Sequence, residues 1–138
     1  MPKVPLRVAI DTNIWISFLI GKTLVGLDEK IANDQVVILF SDELFNELIE
    51  VLHRPKFSKY FTRENIVELI ELIHHRAEWI DIKKHFTDCR DSKDNFLLDL
   101  CFSGKGDFLV TNDQDLLVLN PFRNTRIIHY EEFNQEII

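Results

Sequence analysis

The segment Leu6-Arg7-Val8-Ala9-Ile10-Asp11-Thr12-Asn13 decides the fold. Its first five residues are mostly aliphatic, which is typical of a buried strand, and polar residues follow at once. Two later segments repeat the pattern of a short apolar run that ends at polar residues, at residues 36–40 and 108–111. Together with residues 6–10, these runs predict three buried strands.

Helical periodicity fills the intervals between these strands. Apolar residues recur at spacings of three and four over residues 64–77, which predicts an amphipathic helix. Similar patterns cover residues 42–53, which end before Pro55, and residues 92–103, which end before Gly104 as a C-terminal cap.

Weaker alternation predicts two more short strands, at residues 78–82 and 126–130, and residues 131–138 form an amphipathic tail. Strands and helices therefore alternate along the chain. This alternation predicts an α/β fold with three α/β/α layers and a mostly parallel central sheet.

Length and charge limit the classes of function. The chain has 138 residues, 46% of them hydrophobic, which fits one compact domain over residues 1–138. Its 16 Lys and Arg against 23 Asp and Glu give a net charge of −7, so its surface as a whole cannot bind polyanions in general. A nucleic-acid role therefore needs a local basic patch or a bound metal ion.

The cysteines and apolar runs bear on the compartment. Cys89 and Cys101 offer neither a disulfide framework nor a Cys-x-x-Cys metal pair, which suits a reducing cytoplasm. The longest apolar stretch, residues 8–20, contains Asp11 and Asn13 and is shorter than the roughly 20 apolar residues of a membrane helix. No signal peptide is recognisable. We therefore expect a cytoplasmic protein without a membrane partner.

Acidic residues follow two of the predicted strands. Asp11 comes directly after residues 6–10, and Asp113 comes shortly after residues 108–111. Ligands of open α/β sheets bind beyond the carboxyl ends of the strands, so these two carboxylates are expected at one edge. Each of them alone is better explained as an ordinary helix N-cap, and only the two together indicate a site.

Two further acids lie on predicted helices. At about 100° per residue, Glu47 falls at the border of the apolar face of residues 42–53, whereas Glu43 and Glu50 point away. Asp94 lies in the first turn of the next helix, on the face of Leu97, with Asp91 as the expected N-cap. A solvated boundary residue is the alternative for Glu47, and a partner of the helix dipole is the alternative for Asp94.

Four carboxylates in one cleft would repel each other and need a cation to stay ionised together. Ligands that are all oxygen favour Mg²⁺ or Mn²⁺. Such an ion can activate water and stabilise charge on a phosphodiester oxygen. The sequence therefore predicts metal-assisted phosphodiester hydrolysis.

Four segments in order resemble the PIN-domain family of metal-dependent ribonucleases, especially stand-alone prokaryotic members related to the toxins of toxin–antitoxin pairs. They are residues 8–13, 41–52, 90–94 and 110–117. By this resemblance, the catalytic, metal-binding positions are Asp11, Glu47, Asp94 and Asp113.

The same resemblance implies roles for neighbouring residues and partners. Asn13 and Thr111 match polar residues that hold the acids and water in place. Asp91 and Asp115 either bind metal through water or cap helices. An antitoxin protein that blocks the cleft and a homodimer are the implied protein partners.

RNA contacts are expected where basic and aromatic residues alternate. Arg54, Lys56, Lys59 and Arg63 form the densest basic stretch and are candidates for binding RNA phosphates. The aromatic residues among them, Phe57, Tyr60 and Phe61, either stack on bases or pack between helices. Further phosphate candidates are Lys22, Arg90 and Lys93.

The sequence favours an endoribonuclease that acts on single-stranded or loop RNA with Mg²⁺ or Mn²⁺. The main alternative is a non-catalytic binding module, whose acidic pocket holds a cation or a basic partner peptide. A receiver-type phosphoacceptor is a weaker alternative, because the adjacent acids and the late Lys of such a site are not evident. The glycine spacing matches no nucleotide-binding loop, and no Gly-x-Ser-x-Gly elbow occurs.

Overall fold

The computed structural model describes residues 4–21, 29–30 and 32–136. One sheet contains the strands β1 (Leu6–Ile10), β2 (Val36–Phe40), β3 (Glu78–Trp79), β4 (Phe108–Val110) and β5 (Arg126–Ile128). The helices whose bounds are described are α1 (Thr12–Gly21), α2 (Asp42–Leu52), α3 (Arg63–Arg76), α4 (Asn95–Ser103), α5 (Gln114–Leu117) and α6 (Tyr130–Glu136). Short 3₁₀ turns occupy Pro55–Phe57 and Ser92–Asp94.

The sheet has the strand order β3-β2-β1-β4-β5, and each neighbouring pair is parallel. Successive residues of a strand face opposite sides of a sheet. Because Val8, Ala9 and Ile10 of the central strand β1 are all fully buried, both faces of the sheet are covered there. The α/β fold with a parallel central sheet is confirmed.

Several predicted boundaries were wrong by a few residues. The strand predicted at residues 78–82 comprises only Glu78–Trp79, followed by one more bond from the backbone N–H of Ile80 to Phe40 O at 2.7 Å. The strand predicted at 126–130 ends at Ile128, because Tyr130 begins α6. The end of the predicted tail, residues 137–138, lies outside the described residues.

The helix predicted from residue 92 begins at Asn95 instead. Asp91 accepts a hydrogen bond from the backbone N–H of Lys93 at 3.3 Å, which caps a separate 3₁₀ turn over Ser92–Asp94. Asp94 therefore lies at the junction between this turn and α4, where its side chain makes no capping bond.

The segment between β3 and this turn lies antiparallel to α4. Three hydrogen bonds from its backbone N–H groups to side chains fix the alignment: Lys83 to Ser103 Oγ at 2.9 Å, Phe86 to Asp99 Oδ1 at 2.7 Å, and Cys89 to Asn95 Oδ1 at 2.9 Å. We refer to residues 83–90 as the α4 strap. Asp99 is buried, and it accepts the bond from Phe86 together with one from His85 Nδ1 at 3.0 Å.

Gly104 ends α4, but not through the left-handed backbone that usually favours glycine there. Its φ is −89°, and the left-handed residue is Lys105, with φ 52°. A Cβ on Gly104 would lie 2.9 Å from the backbone oxygen of Leu100 and 3.0 Å from Leu39 Cδ1. Close packing at the end of α4 therefore requires glycine.

None of the described helices is long and apolar enough to cross a membrane.

We expect Gly104→Ala to lower the free energy of unfolding by about 1–3 kcal/mol, since the added methyl group forces the Leu100 backbone to shift. Urea denaturation measures the change. Gly106→Ala is the matched control, because its Cβ would meet Cys101 no closer than 3.4 Å. Equal losses in both variants would contradict the packing explanation.

Candidate active site

Two carboxylates meet at one edge of the sheet because their strands are neighbours. Asp11 follows β1 directly, and its backbone N–H donates to Val110 O at 3.0 Å. Asp113 follows β4 after a short turn and is the N-cap of α5. The parallel pairing of Ile10 with Val110 therefore brings Asp11 and Asp113 to the carboxyl edge of the sheet.

The hydroxyl group of Thr111 connects these two acids. It donates to Asp11 Oδ2 at 2.8 Å and accepts from the backbone N–H of Asp113 at 3.1 Å. Thr111 is completely buried, so this hydroxyl has no competing solvent contact. One side chain thus fixes the orientation of Asp11 and the backbone of Asp113.

Glu47 reaches the same edge from α2. Of the glutamates on that helix, Glu43 and Glu50 are exposed and Glu47 is half-buried. Its Oε2 accepts a hydrogen bond from Thr12 Oγ1 at 2.5 Å. Thr12 is buried at the start of α1, directly after Asp11, so this bond joins α2 to the acidic edge of the sheet.

Asp94 completes the group, and its ionisation shows how crowded the carboxylates are. Burial, the negative charge of Asp11, and a hydrogen bond with Asp113 raise the pKa of Asp94 to about 7. Burial also raises the pKa of Asp11, opposed by the bond from Thr111 and reinforced by the charges of Glu47 and Asp113. Asp11 is therefore within electrostatic reach of Glu47, Asp94 and Asp113, and Asp94 is within reach of Asp113.

A family model described as a PIN domain matches residues 7–115 of this chain. The chain belongs to the PIN-domain family. PIN domains are generally nucleases, and PIN nucleases generally use divalent metal ions.

One relative and one solved structure agree with this assignment. An uncharacterised protein of Methanocaldococcus jannaschii is 30% identical over 137 residues, which cover 94% of this chain and 86% of the relative. A chain in the crystal structure of VapBC2 from Rickettsia felis, bound to a DNA fragment from their promoter, has the same fold. It superposes with a TM-score of 0.61 at 18% identity and covers 91% of this chain and 99% of that chain.

The other acids expected near this PIN-domain site have partners of their own. Asp115 forms an ion pair with Arg90, with Nε to Oδ1 at 2.9 Å, and its backbone N–H donates to Asp113 Oδ1 at 2.9 Å. Asp91 caps the Ser92–Asp94 turn and lies 3.6 Å from Lys93 Nζ.

Asn13 and Thr12 differ from what the sequence suggested. The side chain of Asn13 is exposed, whereas its neighbour Thr12 is buried and binds Glu47. No role was predicted for Thr12 from the sequence. Its position between Asp11 and Asn13, at a strand-to-helix junction where the first helical side chain faces the neighbouring helix, could have indicated one.

The donor chemistry of the site fits a hard divalent cation. Its candidate ligands are carboxylate oxygens, and Asp94, whose pKa is raised to about 7 beside Asp11 and Asp113, can give up its proton to a cation near neutral pH. Burial, together with the negative charges of Asp94 and Asp113, raises the pKa of Cys89, which favours the neutral thiol.

Across the described ranges, no three His, Cys, Asp or Glu side chains already stand in an arrangement that holds an ion.

The basic stretch lies between α2 and α3. Lys56 Nζ is 5.1 Å from the ring centre of Phe57, and Lys59 Nζ is 5.1 Å from that of Tyr60. Phe61 is buried, so part of this aromatic set packs in the core, while Tyr60 is 49% exposed.

The other basic residues that were predicted to contact RNA phosphates lie in different parts of the chain. Arg54 forms an ion pair with Glu50 at 3.2 Å, and Arg63 begins α3. Arg90 and Lys93 are exposed beside the acidic site. Lys22 lies outside the described residues.

Without divalent ions, we expect stability to fall as the pH rises towards 7. The pKa of Asp94 is about 7 in the folded chain, against an ordinary value of 3.8. Between these values the folded state holds more protons than the unfolded state, so the free energy of unfolding decreases with pH.

Urea denaturation in EDTA at about pH 5 and about pH 8 measures this change. Asp94→Asn resembles the protonated carboxyl group and should flatten the dependence on pH. An identical pH dependence in the variant and the wild type would show that Asp94 does not cause it.

Proposed function

We propose that this PIN domain is an endoribonuclease that hydrolyses RNA phosphodiester bonds with Mg²⁺ or Mn²⁺. The observation that carries the proposal is the meeting of Asp11, Glu47, Asp94 and Asp113 from separate elements at one edge of the sheet. Their mutual effects on pKa match a site in which bound positive charge is favourable. Membership of a family of metal-using nucleases supports the same reaction.

Asp11, Glu47, Asp94 and Asp113 would hold the ion. When bound, the ion supplies Lewis-acid chemistry, which polarises the phosphodiester and makes water more acidic. Residues of the chain itself position the carboxylates. Thr111 orients Asp11 and Asp113, and Thr12 holds Glu47 against the end of β1.

For substrate binding, we propose single-stranded or loop RNA. The stretch Arg54 to Arg63 supplies cations for phosphates, and the exposed ring of Tyr60 offers a stacking surface for an unpaired base. Arg90 and Lys93 place further positive charge near the carboxylates.

We further propose that the protein is the toxin of a toxin–antitoxin pair. The likeness in fold to a chain of VapBC2 supports this role. The partner would be an antitoxin protein that covers the acidic edge. A basic side chain of that partner would complement the charge of Asp11 and its neighbours.

Purified protein should cleave a mixed-sequence RNA with Mn²⁺ or Mg²⁺ and not in EDTA. Asp94→Asn should lower the rate by at least about 10²-fold, because it removes a charged oxygen ligand. Gel analysis of labelled RNA gives both rates, and thermal unfolding confirms that the variant is folded.

Wild-type cleavage by folded Asp94→Asn would refute the role of Asp94. Absence of cleavage by the wild type, together with Mn²⁺ binding in calorimetry, would favour the non-catalytic binding module instead.

Thr111→Val should reduce cleavage by about 10–100-fold while keeping the side-chain volume, because the hydroxyl that orients Asp11 is lost. Thr111→Ser retains the hydroxyl and should keep most of the activity. A Mn²⁺ titration of the cleavage rate should show a weaker apparent affinity for the Val variant alone. Equal activity of the Val and Ser variants would rule out this positioning role.

A further inference from the structure

A basic cleft lies at the end of α4 that is remote from Asp94. Its volume is about 560 Å³, and Lys83, Phe102, Lys105 and Arg123 contribute to its walls. Asp107 and Thr125, which precede β4 and β5, also line it. The cleft is therefore at the opposite edge of the sheet from the carboxylates, about 13 Å away along the nine residues of α4.

Aromatic rings hold the cation of Arg123 in the cleft wall and that of Lys84 beside the cleft. The guanidinium of Arg123 lies 5.2 Å from the ring centre of Phe86 and 5.7 Å from that of Phe102. Lys84 Nζ lies 5.2 Å and 5.8 Å from the same two rings. The cationic groups are thus positioned over rings rather than spread freely in solvent.

These cations keep their charge available. In the part of the chain that the structure describes, no carboxylate forms an ion pair with Lys84, Lys105 or Arg123. Asp81 pairs with Lys83 at 2.6 Å, so Lys84, Lys105 and Arg123 face the negative charge of Asp107, which lines the cleft and accepts the backbone N–H of Arg7 at 2.9 Å. A chain of net charge −7 therefore carries a locally positive cleft.

The α4 strap connects this cleft to the acidic site. It starts at Lys83 beside the C-terminal end of α4 and reaches Arg90 beside the N-terminal end, where Asp94 lies. Exposed basic residues recur along this path. Lys84 has no ion-pair partner among the described residues, whereas His85, Arg90 and Lys93 each lie against a carboxylate, of Asp99, Asp115 and Asp91 respectively. Asp88 is the acidic residue of the strap and is exposed.

We propose that the cleft and the α4 strap bind the backbone of single-stranded RNA and lead it to the carboxylates. This proposal rests on the ribonuclease function proposed above and adds a second RNA surface, separate from residues 54–63. RNA is favoured over an acidic peptide because the path ends at the proposed nuclease site. In addition, Phe102 is 40% exposed and adds apolar area beside the cations of Lys84 and Arg123 that lie over its ring.

The test compares Lys84→Ala/Lys105→Ala with Lys84→Arg/Lys105→Arg, which keeps both charges. Fluorescence anisotropy in EDTA measures the affinity for a labelled single-stranded RNA of about 12 nucleotides over a series of salt concentrations. The Ala variant should bind about 10-fold more weakly at low salt, and its slope of log affinity against log salt should be smaller by about 1.4. The Arg variant should retain the wild-type slope.

Cleavage of the same RNA with Mn²⁺ gives a second readout. The Ala variant should have a raised KM and an unchanged kcat, because both lysines are remote from the carboxylates. If cleavage depends on Asp94 while the Ala variant keeps the wild-type salt slope and KM, the basic path is refuted and the nuclease stands.

If the wild type neither binds nor cleaves RNA, the proposed function and the RNA path both fail. Poly-glutamate serves as the probe for an acidic protein segment. If it binds the wild type more tightly than RNA does, and the Ala variant loses that binding, the cleft belongs to an acidic protein segment and the RNA proposal is overturned.

Discussion

Repulsion between carboxylates is the constraint on which the acidic edge of this sheet depends. Asp11, Asp94 and Asp113 lie close enough that one of them keeps a proton near neutral pH. Two threonine hydroxyls offset part of the cost: Thr111 donates to Asp11, and Thr12 donates to Glu47. When ionised, these carboxylates repel each other and destabilise the fold. A bound cation would relieve that repulsion.

The parallel sheet makes this crowding possible. Asp11 and Asp113 are a hundred residues apart in sequence, and the pairing of β1 with β4 brings them to one edge. The central strand tolerates the charges beside it because its own residues, Val8 to Ile10, are fully buried against helices on both faces. The buried central sheet thus holds the mutually repelling carboxylates in place.

Much of the fold and of the acidic site could be predicted from the sequence. The features that could not be predicted share a physical cause. Short apolar runs predicted the strands, and the helical wheel singled out Glu47, because burial leaves a periodic pattern. Helix α1 left no such pattern, since Ile14, Trp15 and Ile16 point in directions about 100° apart and all three are buried. The α4 strap has no period of its own, because side chains of α4 hold its backbone, and the buried Asp99 is visible only once both are placed. The close approach that requires Gly104 likewise depends on Leu39 from another strand.

The edges of the sheet bear on behaviour at high concentration. One edge strand, β3, has two residues, and the other, β5, has three. Each offers few unpaired backbone groups, and each carries a charged residue, Glu78 or Arg126, that forms an ion pair with another part of the chain. A strand of another molecule could form few hydrogen bonds at either edge. The short, charged edge strands therefore protect the molecule against aggregation through sheet extension.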